Sequence, residues 1–258
     1  MNSNWEGLLD PPMKGRLSKP RKSGITMLFD KGLSIGETRD LLSTNAPFID
    51  FIKLTFGTAA LYPKHVLIDK IDLASDFEVA VYPGGTFFEI ALWRDKRDLY
   101  FQSLVELGFQ WVEISDGSLE IPFDERSAAI RKAKFFGLNV ITEVGKKEAR
   151  NQPSEDILAL TARRDLEEGA NWVIIEGRES GKGIGIYDNQ GAIIMDKLNT
   201  LKLQMNPETI IWEAPLKTQQ VVLINEFGPN VNLGNIPPSE IMALEALRLG
   251  YRSDTWKR

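Results

Sequence analysis

The chain has 258 residues, 43% hydrophobic and 26% charged, which suits one large α/β domain or two small ones with a core that needs no cross-links. With 36 acidic against 31 basic residues and a net charge of -5, it has no general attraction to nucleic acid or to an anionic membrane, so any anionic ligand must be held by a local cluster. The lack of cysteine and the single histidine, His65, exclude disulfides, thiolate metal sites, a cysteine nucleophile and a two-histidine metal site. No apolar stretch has signal or membrane-spanning character, and a cytoplasmic protein is the expectation.

Residues 1–22 carry Pro11, Pro12 and Pro20 among scattered charges and are expected to form an extended N-terminal arm, partly flexible or laid against a neighbouring subunit. The first predicted strand, Gly24–Phe29, is closed by Asp30-Lys31-Gly32, and a helix is predicted from Ser34 to Leu42. The second strand, Phe48–Leu54, leads to a helix over Lys64–Ser75, and the third, Phe77–Tyr82, ends in Pro83-Gly84-Gly85-Thr86. Trp111–Ile114 ends in Ser115-Asp116-Gly117-Ser118, where Asp-Gly is also a plain turn signal. A helix from Asp124 to Phe136 stops at Gly137 and is followed by the fifth strand, Val140–Val144, and then Gly145-Lys146-Lys147. The sixth strand, Trp172–Glu176, runs into Gly177-Arg178; the seventh is Thr209–Glu213, and the eighth Asn230–Leu233, before a last helix over Ser239–Leu249. Helical patterns separate the strands, giving eight β/α units at a spacing of about thirty residues. That is the pattern of a single (β/α)8 TIM barrel over residues 23–258, preceded by the arm.

Barrel chemistry sits at the C-terminal ends of the strands. Four successive apolar runs terminate at a glutamate: Glu113, Glu143, Glu176 and Glu213. Four carboxylates at one end repel unless cations or a metal accompany them. Two arrangements are open: an ionic network with Lys53, Lys147 and Arg178, or a hard divalent cation, Mg²⁺ or Mn²⁺, on oxygen ligands. Alternation along the fifth strand places Lys147 on the side of Glu143 and turns Lys146 away, so Lys147 is the candidate catalytic lysine. Lys31, Lys53, Arg178 and Lys182 bring positive charge to the same end, and glycine-rich turns around Gly84, Gly85, Thr86 and Gly181 offer backbone N–H groups to an anion. A phosphate is expected near Lys217 and the turn Asn232 to Asn235, which includes Gly234. The segment Gly181-Lys182-Gly183 lacks dinucleotide-fingerprint spacing, and His65 reads as a surface or capping residue.

The segments Asp30-Lys31-Gly32, Ile49–Lys53, Tyr82–Thr86, Val112–Ser118, Thr142–Lys147, Ile174–Gly181, Trp212–Pro215 and Val231–Ile236, with the tail Leu244–Gly250, resemble the phosphosulfolactate synthase family. The resemblance covers Gly24 to Thr255, leaves the arm outside, and departs at Tyr251, where a leucine is expected. It implies a TIM barrel whose Mg²⁺-dependent reaction adds sulfite to phosphoenolpyruvate to give (2R)-phospho-3-sulfolactate. That is the opening step of coenzyme M biosynthesis in methanogens, with sulfolactate the related product in some bacteria. By the same resemblance Lys147 is the proton donor to C2. Glu143, Glu176 and Glu213 suit the metal such a reaction needs, Lys53 and Arg178 assist, and Lys31, Ser115 and Asp116 join the substrate-binding turns. The family also has heat-stress-associated relatives, so a non-catalytic barrel is a rival expectation, as is another Mg²⁺-dependent lyase acting on a phosphorylated enol acid. A homo-oligomer is expected from the arm and from aromatic residues on predicted helices.

Overall fold

The computed structural model describes residues 7–256. Eight parallel strands alternate with helices: β1 (Thr26–Asp30), α1 (Ile35–Asn45), β2 (Phe51–Leu54), α2 (Lys64–Asp76), β3 (Ala80–Pro83), α3 (Gly85–Trp93), α4 (Arg97–Glu106) and β4 (Trp111–Ser115). They continue as α5 (Phe123–Phe135), β5 (Asn139–Val144), α6 (Glu155–Glu167), β6 (Trp172–Ile175), α7 (Met195–Gln204), β7 (Ile210–Glu213), α8 (Lys217–Phe227), β8 (Asn232–Ile236) and α9 (Ile241–Arg248). The ladder runs β3-β2-β1-β8-β7-β6-β5-β4, a nearly closed barrel in which β3 and β4 flank a seam without ladder bonds. The expected TIM barrel is therefore present.

The elements start where local chemistry starts them. Ser34 and Glu37 form a capping box that opens α1, and Ser154 caps α6. Three boundaries differ from the sequence reading for local reasons. Pro47 sits in a 3-10 turn, Ala46–Phe48, and delays β2; Phe77 caps α2 and Glu78 turns at φ 56°, which delays β3; β8 begins two residues late. Two helices, not one, lie between β3 and β4, and the chain from Glu176 to Ile194 is a long irregular excursion before α7.

Alternation divides the apolar residues into two cores. The larger lies between the outer strand faces and the helices, and the smaller fills the barrel with Ile25, Met27, Phe51, Tyr82, Ile141, Ile174 and Ile211. Phe51 meets the rings of Trp111, Trp172 and Tyr82 edge-on at centroid distances of 4.9, 5.7 and 5.9 Å. This packed interior leaves only the layer above it for polar groups. Along β2 the inward set is Phe51 then Lys53, along β4 Trp111 then Glu113, and along β5 Ile141 then Glu143.

The expected arm is held by its own barrel over its second half. Met13 N donates to Leu249 O (3.1 Å), Arg16 pairs with Glu245 (2.9 Å), Lys19 Nζ donates to Ile49 O (2.8 Å), and Arg21 pairs with Asp50 (2.9 Å). These contacts cross the N-terminal ends of the strands and form a floor. Residues 1–6 lie outside the described residues. Among the described residues, no helix is long and apolar enough to cross a membrane.

Candidate active site

Above the barrel core, one inward residue from each of five strands or strand ends meets in a pocket of about 610 Å³ counted to its open mouth. Lys53, Glu113, Glu143, Glu176 and Glu213 form its base; Thr86, Lys147, Arg178, Glu179, Thr55, Phe56 and Asn235 form its wall.

Lys53 Nζ stands 2.8 Å from Glu143 Oε2, 2.9 Å from Glu113 Oε2 and 3.3 Å from Glu213 Oε1, with all four side chains buried. Burial alone would lower the lysine's pKa, but the three carboxylates outweigh it and hold it well above the ordinary value. The ammonium is thus a fixed counter-ion for three glutamates. Glu143 is raised by burial but pulled down to about 2 by Lys53 and Lys147. Glu113 is raised by burial to about 7 against the pull of Lys53. Glu176 stands well above the ordinary range because burial and the charges of Glu143 and Glu213 all disfavour its ionised form.

Two backbone features complete the base. Glu213 Oε2 accepts from the N–H groups of Gly177 and Arg178, both at 2.9 Å, and Glu176 Oε1 accepts from Arg178 N at 2.7 Å. Arg178 reaches this position with a left-handed φ of 62°, unusual for a residue with a side chain and common at functional turns. At the seam, Gly85 N donates to Glu113 Oε1 at 2.6 Å. A Cβ at Gly85 would collide with Ser115 Oγ and lie 2.7 Å from Glu113 Oε1, so only glycine lets α3 start against β4.

After these bonds, Glu143 Oε1, Glu176 Oε2 and Asn235 Oδ1 are buried acceptors without a hydrogen-bond partner. Such groups cost free energy unless something donates to or coordinates them. One oxygen from each of Glu143, Glu176 and Glu213 can be chosen so that all lie within 4.8 Å of one another. Oxygen-only ligands at that spacing fit a hard divalent cation, whose charge would offset the carboxylate crowding that raises Glu176. Of the ionic network expected from the sequence, Lys53 neutralises one side of the cluster, and the other side has open oxygens.

Lys147 and Lys146 part as expected, although the strand ends at Val144 and parity does not carry that far. Lys147 Nζ donates to Thr86 Oγ1 (2.6 Å) at the pocket wall. Lys146 Nζ turns to Asp116, bonding its carboxylate at 2.9 Å and the Leu119 carbonyl at 2.9 Å.

Several expected site residues lie elsewhere. Asn232 is corrected to a structural latch: its Oδ1 accepts from Ile25 N (2.9 Å) and its Nδ2 donates to Ile210 O (2.9 Å) at the strand starts. Gly234 faces the barrel core, where a Cβ would press on Met27 Cε and stand 3.1 Å from Ile211 Cγ2. The two-residue delay of β8 causes both corrections, and only Asn235, at φ 53°, reaches the pocket. Lys31 is exposed, stacked over Phe29 and Phe56 at 4.9 and 5.4 Å and outside the pocket wall. Ser115 is committed to Glu89, Asp116 to Arg126 (3.2 Å) and Lys146, and Lys217 to Asp254 (3.0 Å); Lys182 and His65 are exposed.

Sequence reasoning missed Glu89 and the buried Arg126–Asp165 pair, whose ions approach to 2.6 Å beneath the β4 and β5 ends. A helix-face reading of Gly-Thr-Phe-Phe-Glu would have placed Thr86 and Glu89 on one side.

The sequence profile of the (2R)-phospho-3-sulfolactate synthase family matches residues 14–254. The chain belongs to the phosphosulfolactate synthase family. The match begins inside the predicted arm, in keeping with the contacts of Arg16, Lys19 and Arg21. A phosphosulfolactate synthase of Methanothermobacter thermautotrophicus is 46% identical over 96% of this chain and 95% of its own length. One from Methanocaldococcus jannaschii is 44% identical over 90% of this chain and 94% of its own. Among solved structures, 3-hexulose-6-phosphate synthase from Salmonella typhimurium superposes with a TM-score of 0.57 at 14% identity, covering 88% of this chain and 100% of that one. That likeness concerns the barrel fold alone.

Proposed function

We propose that this chain is a phosphosulfolactate synthase that adds sulfite to C3 of phosphoenolpyruvate and delivers a proton to C2, giving (2R)-phospho-3-sulfolactate. The observation that carries the reading is the opposition, in one pocket, of unpartnered carboxylate oxygens on Glu143 and Glu176 to the ammonium of Lys147. In this reaction the sulfur lone pair forms the new bond to C3, and the C2–C3 π electrons move to C2 and into the substrate carboxylate. A proton must then arrive at C2 from one face.

Glu143, Glu176 and Glu213 would hold Mg²⁺, whose positive charge stabilises the carboxylate as electrons enter it. Lys53 has no free valence for substrate, because its three carboxylate partners surround it; it fixes Glu143 and Glu213 in place. Lys147 is the general acid. Burial lowers its pKa, but Glu143, Glu176 and Glu89 outweigh this and raise it, so it enters each cycle protonated. Arg178 anchors the wall by donating to the Lys147 carbonyl at 3.2 Å, and its charge, with Lys147, attracts two anionic substrates into an acidic protein. Asn235 offers a buried amide to an oxygen or proton of the substrate.

The test is the consumption of phosphoenolpyruvate by purified protein with and without sulfite and Mg²⁺. Consumption that requires both, with phosphosulfolactate formed, supports the synthase. Consumption independent of sulfite points to another lyase of phosphorylated enol acids, and no Mg²⁺-dependent binding of phosphoenolpyruvate points to a non-catalytic barrel.

A further inference from the structure

Glu89 on α3 is 2% exposed and stands beside the pocket without lining it. Its Oε1 accepts from Ser115 Oγ and its Oε2 from Ser118 N at 2.8 Å, so it holds both ends of the turn after β4. Neither donor is charged. Among the described residues, the cation within ion-pair reach is Lys147, whose Nζ is 3.8 Å from Oε1. A buried carboxylate is costly without a cation, and two neutral hydrogen bonds need only a neutral acceptor. The turn that Glu89 holds is the surface on which Lys147 lies: Lys147 N donates to Gly117 O at 3.1 Å, and a Cβ on Gly117 would start 3.0 Å from Lys147 Cε. Thr86, which receives the Lys147 ammonium at 2.6 Å, precedes Glu89 by three residues on the same helix face.

We propose that Glu89 is the positioning residue for the proton donor: its charge and its grip on Ser115 and Ser118 hold the Lys147 ammonium against Thr86, so that the proton reaches one face of C2. The inference rests on the synthase reading for its catalytic consequence and on geometry alone for the restraint of Lys147. Glu89 touches no reacting atom in this scheme and acts through Lys147.

The decisive variant is Glu89→Gln. Its amide oxygen accepts from Ser118 N and its NH₂ donates to Ser115 Oγ, so the turn keeps its bonds while the charge is lost. The expected result is a fall in kcat of about tenfold, KM within about twofold, and product at C2 no longer of single configuration when made in deuterated water. A turn-holding role alone would leave all three unchanged. Independently of turnover, acylation of Lys147 by an amine-directed reagent at one pH, read by peptide mass, is expected to rise several-fold, with Lys146 as internal reference. General loosening would raise both lysines; loss of the Glu89 charge raises Lys147 alone. Native kcat and configuration with unchanged Lys147 labelling would overturn the proposal, as would equal gains at both lysines. If the native chain leaves phosphoenolpyruvate untouched, the synthase reading fails and the labelling ratio still decides the restraint. Where Glu89→Gln does not fold, Glu89→Asp, which keeps the charge but withdraws it from Lys147, is expected to raise Lys147 labelling relative to Lys146; an unchanged ratio in that variant overturns the proposal.

Discussion

The two ends of the barrel handle buried charge in opposite ways. At the floor, most cations meet acceptors: Arg16 pairs with Glu245, Arg21 with Asp50 and Lys19 with carbonyls, while Arg248 has the carbonyls of Pro229 and Val231, both at 2.7 Å, but an unpartnered Nε. At the mouth, three of four buried glutamates pair with one buried lysine, and two carboxylate oxygens and an amide oxygen have no donor. The floor is organised for the folded state, whereas the mouth is organised for something the chain alone does not supply. Among the described residues, Glu143 Oε1, Glu176 Oε2 and Asn235 Oδ1 share one pocket, whereas the buried unpartnered groups of Asn45, Tyr100, Thr142, Trp212 and Arg248 lie on separate elements.

The sharpest way to break this contrast is to remove one cation from each end. Lys147→Ala is expected to lower kcat at least about 10³-fold, a barrier increase of about 4 kcal/mol, with a melting temperature close to native. Activity and calorimetry on one preparation check it, and a variant that unfolds would place Lys147 with the floor residues. At the floor, Arg248→Ala is expected to cost about 3 to 5 kcal/mol in denaturant unfolding, because buried carbonyls lose their donors and a cavity opens. Its turnover per folded molecule should be native, and a selective loss of turnover would erase the division between the ends.

Cation binding sharpens the comparison further. Mg²⁺ at about 100 times its dissociation constant is expected to stabilise the chain by about 3 kcal/mol. Glu176→Gln should abolish that gain and Arg248→Ala should retain it, as read by thermal shift. A gain that survives in Glu176→Gln would place the ion elsewhere.

The smallest effect is a pH dependence. Glu113 keeps its proton to about 7 in the folded chain against an ordinary 4.5. Its contribution to stability is therefore fully present below pH 4.5 and lost as pH rises toward 7. Glu113→Gln does not titrate, so native stability should fall relative to the variant across that window. Glu143, held down to about 2, acts in the reverse sense: its contribution is present above 4.5 and lost as pH falls toward 2. Urea titrations at pH 4, 6 and 8 separate the two; a constant difference between native and Glu113→Gln would show that folding does not raise the Glu113 pKa.

The eight strands and the four terminal glutamates were legible because each depends on neighbours in sequence: apolar runs, their spacing, and the residue at the end of each run; the parting of Lys147 from Lys146 is decided by the turn after β5, beyond the reach of strand parity. Asn232 and Gly234 were misplaced because a two-residue shift in β8 moves a side chain by a whole layer of the barrel, and no local signal fixed that start. Glu89 and Lys31 needed three dimensions. Glu89 enters the site only across the β3–β4 seam, and Lys31 leaves it because the rings of buried Phe29 and exposed Phe56 take its ammonium.

Local pattern thus determined a (β/α)8 barrel with carboxylates and a lysine at its C-terminal end, since alternation and helix periodicity are properties of adjacent residues. Tertiary structure alone decided which charges meet. Arg16 finds Glu245 229 positions away and Lys53 finds Glu213 160 away, and only closure of the barrel brings such pairs within reach.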